Sequence, residues 1–213
     1  MNLIILIFPL FSSIAGGFFG RFLGHKAVTY FSTLFVLFSF CLSFLLFFQV
    51  TFFGKLSQLF IFPWMSVGVF FVNWGFLFDS LTAVILIVIC SISTLVHLYS
   101  ASYMSGDPHL ARFISYLSLF TFFMLILVTA DNFLQMFVGW EGVGVCSYLL
   151  INFWFTRIQA NKAAIKAMLV NRVGDFGLSL GIFLVYLEYG SLDYSIVFSL
   201  VPFSVTKPFF FLV

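Results

Sequence analysis

Charge is what this sequence has least of. Nine Lys/Arg and seven Asp/Glu are spread over 213 residues, 8% of the chain, against about a quarter in an ordinary soluble domain. So few charges cannot coat a water-facing surface, and a freely soluble fold is excluded. The formal net charge of +2 and the lack of any basic run give no ground for a nucleic-acid partner. Cysteine is scarce too. Cys41, Cys90 and Cys146 stand singly in apolar stretches, without metal-ligand spacing, and read as buried inert thiols. The sequence holds no glycine fingerprint for a nucleotide, no cysteine cluster for iron–sulfur ligation and no histidine pair set for haem. No cofactor-binding or metal-binding residues are expected in this chain.

What is abundant is apolar length. Hydrophobic residues make up 63% of the chain, 35 of them phenylalanine, and the mean hydropathy is +1.20. The phenylalanine excess suits an AT-rich organellar genome. A helix needs about 20 apolar residues to cross about 30 Å of hydrocarbon. Residues 3–19, 28–50, 81–96, 113–129, 133–155 and 163–187 qualify. The expected fold is therefore an all-α membrane protein of about six transmembrane helices, with residues 1–190 as an N-terminal helical bundle. Residues 191–213 form an apolar tail broken by Pro202, Lys207 and Pro208, a half-span or the start of a next helix. No Lys or Arg occurs in "MNLIILIF", so the first span reads as a retained helix, not a cleaved signal.

Residues 51–78, "TFFGKLSQLFIFPWMSVGVFFVNWGFLF", are different. Aromatic and β-branched residues interrupted by Pro63, Gly68 and Gly75 suit a surface β-hairpin or an irregular interfacial loop.

The loops set the orientation. Arg21, His25 and Lys26, then His97, His109 and Arg112, then Arg157, Lys162 and Lys166 fall on one side. Lys55, Asp79, Asp131, Glu188 and Asp193 fall on the other. The positive-inside rule makes the basic side the cytoplasm or an organelle's matrix, with the N-terminus on the outer side.

One acid breaks the pattern. In "VGWEGVGVCSYLL", Glu141 lies about 12 Å into the span 133–155 at 1.5 Å of rise per residue. A charge there costs about 2.5–3.5 kcal/mol or more, so such residues face a bundle interior or a wet cavity. A carboxyl group so placed can exchange a proton when its partner moves. It can equally be a neutral acid hydrogen-bonded to a neighbouring helix. Gly139, Gly142 and Gly144 would let another helix come close.

The sixth span adds Arg172 and Asp175, three apart and so on one helical face. They read either as functional groups or as a self-neutralising pair that fixes packing. Lys162 and Lys166, four apart at the membrane edge, suit snorkelling to the interface or to the phosphates of lipids such as cardiolipin. Two intramembrane acids on two helices exceed what packing needs, and proton or cation movement is the physical reading.

The stretches "FVNWGFLFDSLT", "HLYSASYMSGDPHLARFISYLSLFTFFMLILVTADNFLQMFVGWEGVGVCSYLLINFWFTR" and "KAAIKAMLVNRVGDFGLSLG" closely resemble the N-terminal part of NADH dehydrogenase (ubiquinone) subunit 5. This is the distal antiporter-like subunit of respiratory complex I, related to subunits of multi-subunit cation/proton antiporters. The likeness covers residues 1 to about 190 and is nearest to mitochondrial forms. It implies a membrane-arm subunit of a proton-pumping NADH:ubiquinone oxidoreductase, multi-pass in the mitochondrial inner membrane, with the N-terminus on the intermembrane-space side. By the same likeness Glu141 matches a fifth-helix glutamate that partners a lysine in the proton pathway, and Arg172 and Asp175 match a charged pair of the sixth helix. NADH, FMN, iron–sulfur clusters and ubiquinone would belong to other subunits. This chain, with no redox centre, would be coupled to them conformationally or electrostatically.

The chain also departs from the family. Members are much longer, and their partner lysine lies on a seventh helix. Lys207 stands beside Pro208 outside any such motif. With no cation foreseen opposite Glu141 on a following helix, a separate chain carrying the remainder is expected to bring a lysine to it. The competing classes are a cation/proton antiporter subunit and a structural membrane anchor.

Overall fold

A computed structural model gives the fold and describes residues 2–68 and 70–204. Lys207 and Pro208, and with them the end of the apolar tail, lie outside the described residues. Helix α1 (Asn2–Leu23) passes through Gly24, whose positive φ of +81° favours glycine, straight into α2 (His25–Phe53). The hairpin β1 (Ser57–Val67) and β2 (Phe70–Phe78) follows. Then come α3 (Ser80–Tyr103), α4 (Leu110–Thr129), α5 (Phe133–Ile151), α6 (Ile158–Tyr189) and a short α7 (Tyr194–Ser204) that contains Pro202. Six of the described helices, α1 to α6, are long and apolar enough to cross a membrane.

The helices overrun the apolar windows. Helix α3 continues to Tyr103, so His97 is no loop residue: it lies inside α3 and is fully buried. Helix α6 begins at Ile158 and takes in Lys162 and Lys166, because long cationic side chains can leave the hydrocarbon while their backbone stays helical. Its 32 residues rise about 48 Å, more than the bilayer core requires.

Residues 57–78 form a hairpin and not an irregular loop. The strands pair antiparallel with Ser57 opposite Phe78, and the register shifts at Phe60/Phe62 and Pro63/Met65. Such shifts accommodate Pro63, which has no N–H to give a ladder. Strand β1 is largely exposed. Strand β2 buries Val72, Phe76 and Phe78, the last two inside the main core with Ile5, Leu6, Leu46, Val50, Leu86 and Leu125. The free edge of β2 is covered too: Phe76 bridges to Ala130 in the α4–α5 elbow, and Asn132 bridges onward to Asp193. Two isolated bridges thus tie the elbow to the hairpin on one side and to the α6–α7 turn on the other, covering part of that edge.

Helices α1 to α4 are held together by neutral polar groups as well as apolar packing. Pro9, inside α1, has no N–H for the carbonyl of Ile5, four residues back. Buried Ser39 of α2 donates its hydroxyl to that same carbonyl at 2.7 Å. In a membrane nothing else would satisfy it, and hydroxyls are the usual remedy for a proline in a spanning helix. A second set joins α1, α3 and α4. Ser12 and Ser118 hydroxyls meet at 2.9 Å, His97 Nε2 lies 3.1 Å from Ser118 Oγ, and Ser93 meets Thr121 at 2.6 Å. The other imidazole nitrogen, Nδ1, is 2.8 Å from the Ser93 carbonyl. That geometry sets the proton on Nδ1 and leaves Nε2 to accept.

Candidate functional site: an ion triad between α5 and α6

Helix α5 opens on Asn132, whose side-chain oxygen accepts the Gln135 N–H at 2.8 Å, an N-cap that satisfies a terminal donor. Along one side, α5 is pressed onto α4 at two glycines. A Cβ at Gly139 would lie 2.6 Å from the Leu127 backbone, and one at Gly142 would run into the Phe123 ring. Gly144 is not needed for this approach, since a Cβ there would sit 3.7 Å from Asn171 Nδ2 in ordinary contact. With α4 on that side, Trp140 and Glu141 reach towards α6.

There they meet the two charges of α6. Arg172 Nη1 donates to Glu141 Oε1 at 2.9 Å. The indole N–H of Trp140 donates to Asp175 Oδ1 at 2.8 Å, and Arg172 Nη1 is 4.0 Å from Asp175 Oδ2. Two sequence expectations change here. Arg172 and Asp175 are not a closed pair within one helix, because the arginine's short contact is to α5. Nor does Glu141 lack a cation on the following helix, because Arg172 supplies one. Trp140 was not foreseen as part of the site, although its place beside Glu141 put its indole within reach of the same helix.

The triad is graded in exposure. Asp175 is buried, Glu141 is 28% exposed and Arg172 is 63% exposed at the side chain. One guanidinium between two carboxylates leaves one net negative charge, on a helix whose Leu169, Val170, Val173 and Phe176 are also exposed. In hydrocarbon such a face cannot stand against lipid without cost. Chemically, the arrangement is a carboxylate held by a largely exposed cation that has a second carboxylate 4.0 Å away.

The comparisons with known proteins bear on this same stretch. Residues 64–114 match the family described as NADH-Ubiquinone oxidoreductase (complex I), chain 5 N-terminus, and residues 130–212 match NADH:quinone oxidoreductase/Mrp antiporter, TM. The NADH-ubiquinone oxidoreductase chain 5 of Chondrus crispus is 58% identical over 202 residues, 95% of this chain and 30% of that protein. That of Triticum aestivum is 59% identical over 93% of this chain and 30% of its own length. The Phytophthora infestans protein of the same name is 53% identical over the whole chain and 32% of its own. The chain belongs to the chain 5 family. It spans about 30% of the length of the relatives it matches. Glu141, Arg172 and Asp175 all fall within the second matched stretch.

Among solved structures, an antiporter-like fold recurs. The membrane-bound sulfane sulfur reductase, an archaeal respiratory membrane complex, superposes with a TM-score of 0.79 at 17% identity, covering 92% of this chain and 39% of the other. The Mrp complex of Dietzia sp. DQ12-45-1b gives 0.76 at 22% identity, with 97% and 21% covered.

Proposed function

We propose that this chain is part of the membrane arm of a proton-translocating NADH:ubiquinone oxidoreductase and carries part of a proton half-channel. The observation that carries the reading is the Glu141–Arg172 contact of 2.9 Å, set among spanning helices and open on one side. A buried pair meant only for packing would be closed and charge-balanced; this contact is open at Arg172, and the triad that includes Asp175 is not charge-balanced. In the proposed mechanism Arg172 holds Glu141 ionised. When the guanidinium swings towards Asp175, Glu141 takes up a proton, and the return of the arginine expels it. The net negative charge of the triad suits one further cation, a lysine brought by the rest of the subunit or by a separate chain, against the exposed face of α6. Redox chemistry with NADH, FMN, iron–sulfur clusters and ubiquinone belongs to other subunits in this reading.

The proposed setting is the mitochondrial inner membrane. The basic ends of α1, α2, α4 and α6 would face the matrix and the hairpin the intermembrane space, with lipid phosphates at Lys162 and Lys166. Affinity purification from membranes tests the reading. Recovery of a large assembly holding flavin and iron–sulfur clusters is the expected result. A small multi-subunit membrane complex without them would point to a cation/proton antiporter instead.

A further inference from the structure

The hairpin end of the bundle holds a second group of acids that the triad does not use. Asp131, buried in the α4–α5 elbow, accepts Asn132 Nδ2 on Oδ1 at 2.8 Å and Gln58 Nε2 on Oδ2 at 3.4 Å. Its backbone carbonyl accepts the Tyr194 N–H at 3.1 Å, beside Asp193, which is bridged to Asn132. Burial pushes both carboxyls above the usual aspartate range. Gln58 and Asn132 partly offset this for Asp131, and the Asp131 charge adds to it for Asp193. Two acids so placed carry one negative charge more readily than two.

Next to them are two buried polar atoms without partners among the described residues. Gln135 is fully buried. Its Oε1 accepts the Gly75 N–H at 3.1 Å, while its Nε2 has no partner among the described residues. Asn73 gives its backbone carbonyl to Asn132 Nδ2 at 2.7 Å, and its buried Oδ1 is likewise unpartnered. The Gln135 amide and the Asp131 carboxyl meet at one peptide unit, since a Cβ on Gly75 would run into Asp131 Oδ2. One orphan atom needs an acceptor and the other a donor. A metal ion would serve only Asn73. An anion would serve only Gln135 and would be repelled by two carboxylates. Water serves both, and buried water is the usual partner of such groups.

We propose that the elbow holds ordered water bound by Gln135 and Asn73, and that this water with Asp131 and Asp193 hands protons between the α5 pathway and the aqueous phase at the hairpin end. Gln135 stands six residues from Glu141, about 9 Å along α5, on the way to that end. The hairpin contributes the neutral Gln58 and Asn73, α5 the neutral Gln135, and α7 the phenol of Tyr194, which keeps its proton at neutral pH. The inference rests on the proton reading of Glu141, and its test separates the two.

The test uses the assembled membrane complex in vesicles, with Asp131→Asn, Asp193→Asn and Glu141→Gln compared side by side. Both Asn variants are expected to lower proton output several-fold and to flatten its dependence on outer pH. A high-resolution structure is expected to show water bonded to Gln135 Nε2 and Asn73 Oδ1. Normal output and an unchanged outer-pH profile in both Asn variants, beside a defective Glu141→Gln, would overturn this inference and spare the Glu141 reading. A dry elbow would overturn it as well. Should the Asn variants fail to assemble, an infrared pH titration of the wild-type complex decides. A carboxylic-acid band lasting above the usual aspartate range supports the pair, and its absence counts against it.

Discussion

Helices α1 to α4 and helices α5 and α6 treat polar groups in opposite ways. In the first set the polar groups that join the helices are neutral and closed: Ser12, Ser39, His97 and Ser118 are all fully buried, and each has a partner on another helix. In the second set the contact between the helices is charged and open on one side, with Arg172 63% exposed beside Glu141. Burial follows the same division, from 39% of the apolar window of α1 to 11% of that of α6. Closed neutral contacts fix a scaffold at little electrostatic cost. An open charged contact can rearrange, and rearrangement is what proton transfer requires.

The sharpest way to break this division is to part the two sets of helices where they touch. Gly139→Val puts a side chain against the Leu127 backbone, which cannot retreat without moving α4. Overpacking of this kind costs about 1–3 kcal/mol, occasionally more, and at a backbone contact the upper figure is expected. A native gel should show the loss of assembly.

A smaller effect tests the scaffold alone. Ser39→Ala removes the hydroxyl that satisfies the Ile5 carbonyl, a loss of about 1–3 kcal/mol for an orphaned buried acceptor. Pro9→Ala restores an N–H to that carbonyl, so the double variant should regain much of the loss. Thermal denaturation of the four variants forms the cycle, and strict additivity would contradict the account. Ser12→Ala is milder, about 0.6 kcal/mol by analogy with other interhelical hydrogen bonds in membranes.

The elbow adds a dependence on pH. Burial raises Asp131 and Asp193 above the ordinary value of 3.8, so the folded elbow binds more protons than the open one. Its stabilisation is full below that value and is lost as pH rises through the raised values. Hydrogen exchange at the Phe133 and Tyr194 amides, bonded to Leu192 and Asp131 carbonyls, should quicken over this range beyond the intrinsic rate. Asp131→Asn should remove that extra dependence. The slope is the smallest of these effects, because the hydrogen bonds from Gln58 and Asn132 offset part of the burial cost at Asp131.

How much of this was legible beforehand divides along the same line. The six spans are written in apolar length. The hairpin was one of two readings, and the covered β2 edge decides it: Phe76 against Ala130 is a contact 54 residues apart, beyond any local pattern. Span ends were misjudged where polar residues are buried within a helix, as His97 is, or exposed in its first turns, as Lys162 is. Glu141, Arg172 and Asp175 could be singled out because charge in an apolar run is costly. Their pairing could not. Spacing within α6 shows that Arg172 and Asp175 share a face, but only the packing of α5 on α6 shows that the guanidinium bonds to Glu141.

The open ion pair is the central claim, and proton output in reconstituted vesicles tests it most directly. Glu141→Gln keeps the shape and a hydrogen-bond acceptor for Arg172 while removing the titratable group, so assembly should survive. A positioned acid–base group contributes about 10²–10⁴-fold, so coupled turnover and pumping should fall by at least about tenfold. Glu141→Asp should keep part of both. A Gln variant that pumps at the wild-type rate, with the shortened Asp variant the more damaged, would contradict the account and leave Glu141 as a packing acid.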